Sequence, residues 1–517
     1  MIINQGVAIT QQYIYIARMI PRNISIIGSG PSGLYTAYHL IKRANLIKIP
    51  FNIKIWEKFP IPFGLSRFGV APDHPEVKNC ELTFTTMFEN FKDLSNGYCQ
   101  NLEFIGNVSI DSQIATAQKL NLKDLYQNQD VVVFSYGCNG DKKLNISNED
   151  TTNGVFTSRQ FVNWYNGQFD QSLNDKFMNF NWSNVKKVGI IGNGNVALDL
   201  TRVLISNQIN EIWSNTDISI EALKKLRESS IESIKIFGRR DFLQSKFTNK
   251  ELRELWELEK YGIYGSIESN QFKFLIDTKN SKSYDRAMMR RLEMCHEYML
   301  PFDERTKKNY KKFKPIITRE DAIKTWQLNY LKSPLKINKD SKTNNLKSVT
   351  FSQNSLAPLE NSNVTAVTYL PSKEITYDLD LLITSLGYQG EPLQGFEDLN
   401  IRFERNHIKN VKGRVLSKQD QPLPGLYTAG WISNGGQGVI ANTMQSSFQV
   451  ADEILTDLPN LPTKDNDSDI MKYIQGNNRI TSWEDWETIN KIEMENGVPH
   501  GKPRVKFLTV PSILKNL

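Results

Sequence analysis

The sequence predicts an α/β chain of two parallel-sheet domains, one of them interrupted by the other. Three observations carry that expectation. A β-branched strand, a glycine-rich turn and a helix follow one another at residues 24–42, again at 187–202, and a third time at 425–455. A chain of 517 residues is too long for one core and divides into at least two domains. Residues 377–388 (YDLDLLITSLGY) read as a buried strand ending in Gly387, the kind that returns a chain to its first domain.

The first repeat opens with Ile24, Ile26 and Ile27, which suit a strand buried in a parallel sheet. Gly28, Gly30 and Gly33 follow as G-x-G-x-x-G. The first glycine permits a tight turn, the second lets backbone approach a pyrophosphate, and the third lets the next helix pack close to the strand. Residues 34–42 read as that helix, whose N-terminal N–H groups and dipole favour an anion. Residues 51–56 form a second strand with Glu57 at its end, where a carboxylate accepts hydrogen bonds from both hydroxyls of an adenosine ribose. Strand, glycines, helix, strand and acid in this order specify a dinucleotide site.

Residues 58–79 form an ordered loop, since aromatic and aliphatic residues are interleaved with its prolines and glycines. A loop leaving the second strand of such a fold lies near the bound cofactor, within reach of backbone at Gly64 and Leu65. His74, next to Asp73, reads either as a proton carrier or as a histidine that orders the loop. Residues 104–110 and 130–137 are further short strands, and residues 154–167 a loop and helix leading into the second domain.

The second repeat offers Gly192 and Gly194, with Ala197 in the place of a third glycine. Its following strand, residues 234–237, ends in Gly238-Arg239-Arg240 and presents no carboxylate to a ribose. Two guanidiniums there suit the dianionic 2′-phosphate of NADP, which accepts bidentate hydrogen bonds. Residues 205–233 and 279–313 are polar and read as helices or insertions. In the latter, Arg286, Arg290 and Arg291 fall near one helical face, suited to docking an acidic protein or simply to solvation. In the third repeat the loop can lay Gly438, Val439 and Ile440 against a ring system and aim helical N–H groups at it.

A net charge of +7 is mild; it fits a basic docking patch for an acidic partner and equally a surface of solvated lysines, and no nucleic-acid partner is expected. No run approaches the roughly 18 apolar residues of a membrane span. Cys80, Cys99, Cys138 and Cys295 are far apart, form no C-x-x-C and no metal cluster with histidine, and read as reduced structural thiols. No acidic residue precedes Glu57. The basic leader, residues 1–21, reads equally as a mitochondrial presequence or as an untethered N-terminus.

With these motifs in hand, the chain resembles the mitochondrial adrenodoxin reductase family, ferredoxin–NADP⁺ reductases of the glutathione-reductase-like fold. The likeness runs from residue 23 to the C-terminus. It rests on PFGLSRFGVAPDHPEVKN, GNGNVALDL, GRRDFLQSKFTNKELRE, LKSP, GLYTAGW with GVIANTM, and SWEDWE followed by GKPR. The resemblance implies two Rossmann-like dinucleotide-binding domains, with an NADP domain (131–388) inserted within a discontinuous FAD domain (22–130 and 389–517). It further implies a mitochondrial oxidoreductase that passes electrons from NADPH through FAD to a small [2Fe–2S] ferredoxin of the adrenodoxin kind. A peripheral association with the inner membrane is left open.

Carried over residue by residue, the resemblance gives FAD to Gly28, Gly30, Ser32, Gly33, Glu57, Leu65, Ile110, Trp431, Gly438, Val439 and Ile440. It gives NADP to Asn193, Gly194, Asn195, Val196, Arg239, Arg240, Glu251 and Gly438, and ferredoxin docking to Arg240, Arg253, Arg286 and Arg290. Asn193 stands where the family usually has glutamine, and residues 433–436 replace a loop that usually carries basic side chains. No covalent catalytic residue and no metal are expected; His74 and Asp199 are candidate proton relays. A disulfide reductase of the same fold needs a cysteine pair beside the flavin, which this sequence does not supply.

Overall fold

The computed structural model describes residues 20–94, 97–111, 114–268, 272, 284–358, 365–436, 438–464 and 469–517. Apart from residues 20 and 21, the expected leader lies outside the described residues. The chain forms two compact units. The first takes the chain up to Asp141, Asn166–Phe169 and Gly387–Leu517; the second takes Lys142–Tyr165 and Asp170–Leu386.

Strand β1 (Arg22–Ile27) runs through the glycine turn into α1 (Pro31–Arg43), then β2 (Phe51–Trp56), β3 (Cys99–Ile105) and β4 (Val131–Phe134) follow. Those four strands are mutually parallel in the order β4-β1-β2-β3. Residues 104–110, expected as one strand, are two: the chain turns at Gly106–Asn107, with Asn107 at φ +61°, before a separate strand Val108–Ile110. β4 also corrects an expected boundary. It belongs to the first sheet, so the first unit runs past residue 130 to Asp141.

In the second unit, β5 (Val155–Thr157), β6 (Lys187–Ile191), α2 (Asn195–Ile205), β7 (Ser233–Phe237), α3 (Asn249–Trp256), β8 (Ile263–Ile267), α4 (Arg286–Met299) and β9 (Lys324–Asn329) succeed one another. A three-stranded antiparallel sheet follows, β10 (Lys332–Lys339), β11 (Leu346–Pro358) and β12 (Thr365–Asp378), and then β13 (Leu381–Thr384). The main sheet is wholly parallel in the order β8-β9-β7-β6-β13-β5. Residues 377–388 are thus not one strand; β12 ends at Asp378, and the chain turns before the buried β13. It re-enters the first unit at Gly387. There β14 (Asn410–Val411), β15 (Arg414–Leu416) and β16 (Pro422–Thr428) extend the first sheet beyond β4, β16 parallel to β4, before α5 (Ile440–Asp457) and α6 (Trp483–Gly497).

The apolar runs are explained by burial on both sheet faces. Val131 and Val133 join a core with Ile24, Ile26 and residues of α1, α5 and α6, while Val132 and Phe134 join another with Ile27 and Trp56. Successive side chains of a strand point to opposite faces, so a strand covered on both sides reads as continuous hydrophobic sequence. The second unit repeats this: Leu381 and Ile383 face one core, and Leu382 faces the other. No helix among the described residues is long and apolar enough to cross a membrane, and no group of His, Cys, Asp or Glu there could hold a metal. All four cysteines are buried and unbridged, and burial pushes the Cys80 thiol up to about 11.

Candidate functional site

In the first unit each motif glycine has its own steric reason. Gly28 sits at φ +103°, its N–H donates to the Trp56 carbonyl at 2.7 Å, and a Cβ there would lie 2.7 Å from the Ser135 carbonyl. A Cβ on Gly33 would lie 2.0 Å from the Gly28 carbonyl, which keeps α1 tight against β1. Gly30 is different, since a Cβ there meets no atom within 4 Å. Packing forbids side chains at Gly28 and Gly33. At Gly30 the protein leaves space above half-buried backbone, which is what close approach of a pyrophosphate requires.

Glu57 is buried at the end of β2, and its carboxylate already serves the turn. Its Oε2 accepts from the Ser29 N–H (3.0 Å) and the Ser29 hydroxyl (2.8 Å), and its Oε1 accepts from the Phe59 N–H (3.2 Å). Ser29 and Ser135 were missed by sequence reasoning. Ser29 is an x of the G-x-G-x-x-G pattern, and Ser135 lies at the end of β4, with its hydroxyl 2.9 Å from the Ile27 carbonyl.

The third repeat closes on the first. A Cβ on Gly430 (φ +75°) would meet Ser32 at 2.6 Å, and the Ser32 and Ser447 hydroxyls are 3.0 Å apart, which brings α5 against α1. Trp431 follows at once, its ring 5.0 Å from that of Tyr388 and its carbonyl 3.4 Å from the Cys138 thiol. Gly64 abuts Gly30, with a Cβ on Gly64 3.3 Å from the Gly30 Cα, and places Leu65 beside the turn. Ile110 packs in the core that holds Ile27 and Trp56. Gly438 (φ +93°), Val439 and Ile440 lead into α5, with Gly438 and Val439 exposed.

In the second unit Gly192 (φ +136°) and Gly194 repeat the pattern: a Cβ on Gly192 would lie 2.2 Å from the Ser385 carbonyl, and one on Gly194 meets nothing within 4 Å. Gly238 is glycine because the Asn193 amide fills its side-chain position, 1.8 Å from where a Cβ would stand. The Asn193 carbonyl accepts from Lys246 N–H at 2.8 Å, and Asn195 Oδ1 accepts from Thr248 N–H at 2.8 Å. The start of α3, with Glu251 in its first turn, is thereby joined to the start of α2, where Val196 stands. Three buried polar atoms in this region lack a partner among the described residues: Asn193 Oδ1, Arg240 Nε and Glu251 Oε2. Orphaned buried groups carry a free-energy penalty of about 1–3 kcal/mol each, so three of them on the segments that follow β6 and β7 and open α3 are consistent with a polar ligand here.

The helices opening from these turns share an electrostatic signature. α1, α2 and α5 have no side-chain cap and no acidic residue in the first turn, whereas Asp285 caps α4 and Ser482 caps α6. Uncapped N–H groups at the positive end of the dipole fit anions. The first two turns therefore each offer N–H donors of the kind a dinucleotide pyrophosphate accepts from.

His74 is buried and caps a short turn (Pro75–Asn79), its carbonyl accepting from Val77 N–H at 3.1 Å. Asp199 accepts from Arg202 at 3.0 Å, and Arg202, itself buried, approaches Glu254 of α3 at 3.5 Å. Arg253 on α3 and Arg286 and Arg290 on α4 are exposed. Arg291 does not share their face. It is buried, and donates to Asn249 Oδ1 (3.0 Å) and the Phe247 carbonyl (2.8 Å), which pins the loop ahead of α3; burial pushes its guanidinium down from the ordinary value.

No protein-family model matches the chain. It is 52% identical over 499 residues to the probable mitochondrial NADPH:adrenodoxin oxidoreductase of Saccharomyces cerevisiae, covering 94% of this chain and 95% of that one. Against the mitochondrial NADPH:adrenodoxin oxidoreductase of Homo sapiens it is 32% identical over 505 residues, with 96% and 91% covered. Among solved structures, Mycobacterium tuberculosis FprA in complex with NADPH superposes with a TM-score of 0.77 at 26% identity, covering 96% of this chain and 99% of that one.

Proposed function

This chain belongs to the NADPH:adrenodoxin oxidoreductase family, and we infer that it is a mitochondrial flavoprotein passing electrons from NADPH through FAD to a [2Fe–2S] ferredoxin. The observation that carries this reading is the contrast between two strand ends. Glu57 presents acceptors after β2, where a ribose brings hydroxyl donors, while Arg239 and Arg240 present donors after β7, where a 2′-phosphate brings acceptors. A flavin takes electrons in a pair from a nicotinamide and gives them singly to an iron–sulfur centre, so it supplies the step that neither partner can make alone.

The chain's own residues bind and orient. In this reading the Gly28–Gly33 turn and the start of α1 hold the FAD pyrophosphate, and Glu57 holds its ribose. Ser32, Leu65, Ile110, Trp431 and Gly438–Ile440 bound the rest. Asn193–Val196 and the start of α2 hold the NADP pyrophosphate, Arg239 and Arg240 the 2′-phosphate, and Glu251 the adenosine ribose; Gly438 is assigned to NADP as well. Arg253, Arg286 and Arg290 offer guanidiniums to an acidic ferredoxin, with Arg240 shared between coenzyme and partner. His74 is retained as the candidate proton relay, whereas Asp199 is committed to Arg202. The enzyme works in the matrix or at the matrix face of the inner membrane.

The deciding experiment is NADPH-driven cytochrome c reduction by the purified holoprotein, with and without a [2Fe–2S] ferredoxin. A ferredoxin-dependent rate that falls as salt rises is expected, because screening weakens association between opposite charges. A rate indifferent to ferredoxin would refute the assignment of the acceptor.

A further inference from the structure

The turn that carries Arg239 and Arg240 is held from outside its own strand. Gly238 N–H donates to the Asn329 carbonyl at 2.8 Å; Lys332 N–H donates to the Gly238 carbonyl at 2.9 Å, and Leu331 N–H to the Arg240 carbonyl at 3.2 Å. Those three bonds are backbone to backbone and come from the last residue of β9, the link after it and the first residue of β10. The carbonyl between them, that of Arg239, is satisfied by a side chain. Asn354 Nδ2 donates to it at 2.9 Å and to Ser333 Oγ at 2.8 Å.

Asn354 stands on β11, 115 residues from Arg239 in sequence, and is only 2% exposed. Its own N–H donates to the Leu331 carbonyl at 2.8 Å, which fixes it against the same segment, and its Oδ1 has no partner among the described residues. The amide is thus used only as a donor, and one of its two bonds closes the arginine turn. Exposed Arg239 has a long, flexible side chain. What directs it is the plane of its peptide, and Asn354 is the only side chain among the described residues seen to hold that plane.

We propose that Asn354 is a positioning residue for coenzyme selection: by fixing the Arg239 carbonyl it holds the two guanidiniums where a 2′-phosphate can take both. The proposal rests on the assignment of Arg239 and Arg240 to that phosphate. It also gives the antiparallel β10–β12 sheet a task, since this sheet supplies the side-chain tie to the turn, beside the backbone bond from Lys332 at the start of β10. NADH has no phosphate for the turn to read, so its use should not depend on Asn354.

The test is kcat/KM for NADPH and for NADH in the holoenzyme, with ferricyanide as acceptor. Four forms are compared: wild type, Asn354→Leu, Ser333→Ala, and the double variant R239A/R240A. N354L keeps most of the volume and removes the donor; S333A removes the other bond of the same amide and leaves the Arg239 bond in place. The NADPH-to-NADH ratio should fall about tenfold in N354L through a higher KM for NADPH, and stay at the wild-type value in S333A. A purely structural role would lower both coenzymes together and leave the ratio unmoved, which would overturn the proposal. If N354L does not accumulate as folded holoenzyme, Asn354→Ser, too short to reach the carbonyl, supplies the same ratio. Loss of selectivity in R239A/R240A with none in the Asn354 variants refutes the role of Asn354 alone. Unchanged selectivity in the double variant refutes the 2′-phosphate assignment itself.

Discussion

Replacing Glu57 should damage the first unit before any flavin is added. A carboxylate has about four lone-pair sites; in this structure three are taken, two by Ser29 and one by the Phe59 N–H. One site is left for a ribose, so Glu57 can serve one ribose hydroxyl fully, and not both as the sequence alone suggests. In Glu57→Ala the Ser29 and Phe59 N–H groups lose their acceptor, while the Ser29 hydroxyl can turn elsewhere. At about 1–3 kcal/mol for each stranded buried donor, the loss is about 2–6 kcal/mol. That is a large part of the 5–15 kcal/mol typical of a folded domain.

Glu57→Gln is therefore the sharper perturbation. Its amide oxygen can keep both Ser29 bonds, and only the Phe59 N–H faces a donor in place of an acceptor. The urea midpoint of the deflavinated protein should drop by the equivalent of about 1–3 kcal/mol. FAD should then bind about tenfold more weakly, since the remaining ribose acceptor is lost. The measurements are urea unfolding followed by tryptophan fluorescence, and FAD content by absorbance after dilution. A Glu57→Gln protein with a wild-type midpoint and full flavin would refute both roles given to the carboxylate.

Two further perturbations separate packing from binding. Gly30→Ala should leave the stability of the deflavinated protein unchanged and lower FAD content, because its Cβ meets no protein atom; Gly33→Ala should cost about 1–3 kcal/mol of stability by overpacking. Thermal unfolding with and without FAD measures both, and equal effects of the two variants would contradict the division between them. The remaining case concerns pH. Burial opposes ionisation of Asp457, but Arg414 (2.7 and 2.8 Å) and the Tyr427 hydroxyl (2.8 Å) outweigh it and leave the carboxyl below its ordinary value. A carboxylate lowered in the folded state adds stability above its unfolded pKa of about 3.9, and that stability is lost as pH falls through the folded value. Asp457→Asn should thus be less stable than wild type at pH 7, with the gap closing below about pH 4; a gap constant from pH 7 to 3 would rule out the linkage.

Much of the site could be read in sequence because backbone geometry dictates it. Gly28, Gly33 and Gly192 are forced by close contacts within the protein, whereas at Gly30 and Gly194 the fold itself would admit a Cβ and only the room left for a ligand asks for glycine, so the pattern is legible without its context. The alternation of Val131–Phe134 between two cores likewise needs only a sheet covered on both faces. Side-chain duties are less legible. Arg286, Arg290 and Arg291 look alike along a helix, yet Arg291 turns inward because α4 packs on the loop before α3, a fact of tertiary structure with no local signal. Residues 377–388 looked like one strand because hydrophobic spacing does not show where the chain leaves one sheet for another.

Asn354 marks the limit of that legibility. Nothing in NSLAP around it distinguishes it from a polar residue on a solvated strand, since its importance depends on a partner 115 residues away. A coenzyme motif written as strand, glycines and arginines leaves out what orients the arginines. A guanidinium pair gains from a phosphate only when both side chains leave the backbone in the right direction, because each rotamer frozen on binding opposes the bonds it makes. The buried amide donor meets that requirement in advance, in the free protein. The residues proposed to recognise the coenzyme could therefore be named from the sequence, whereas the residue proposed to prepare them could be found only from the fold.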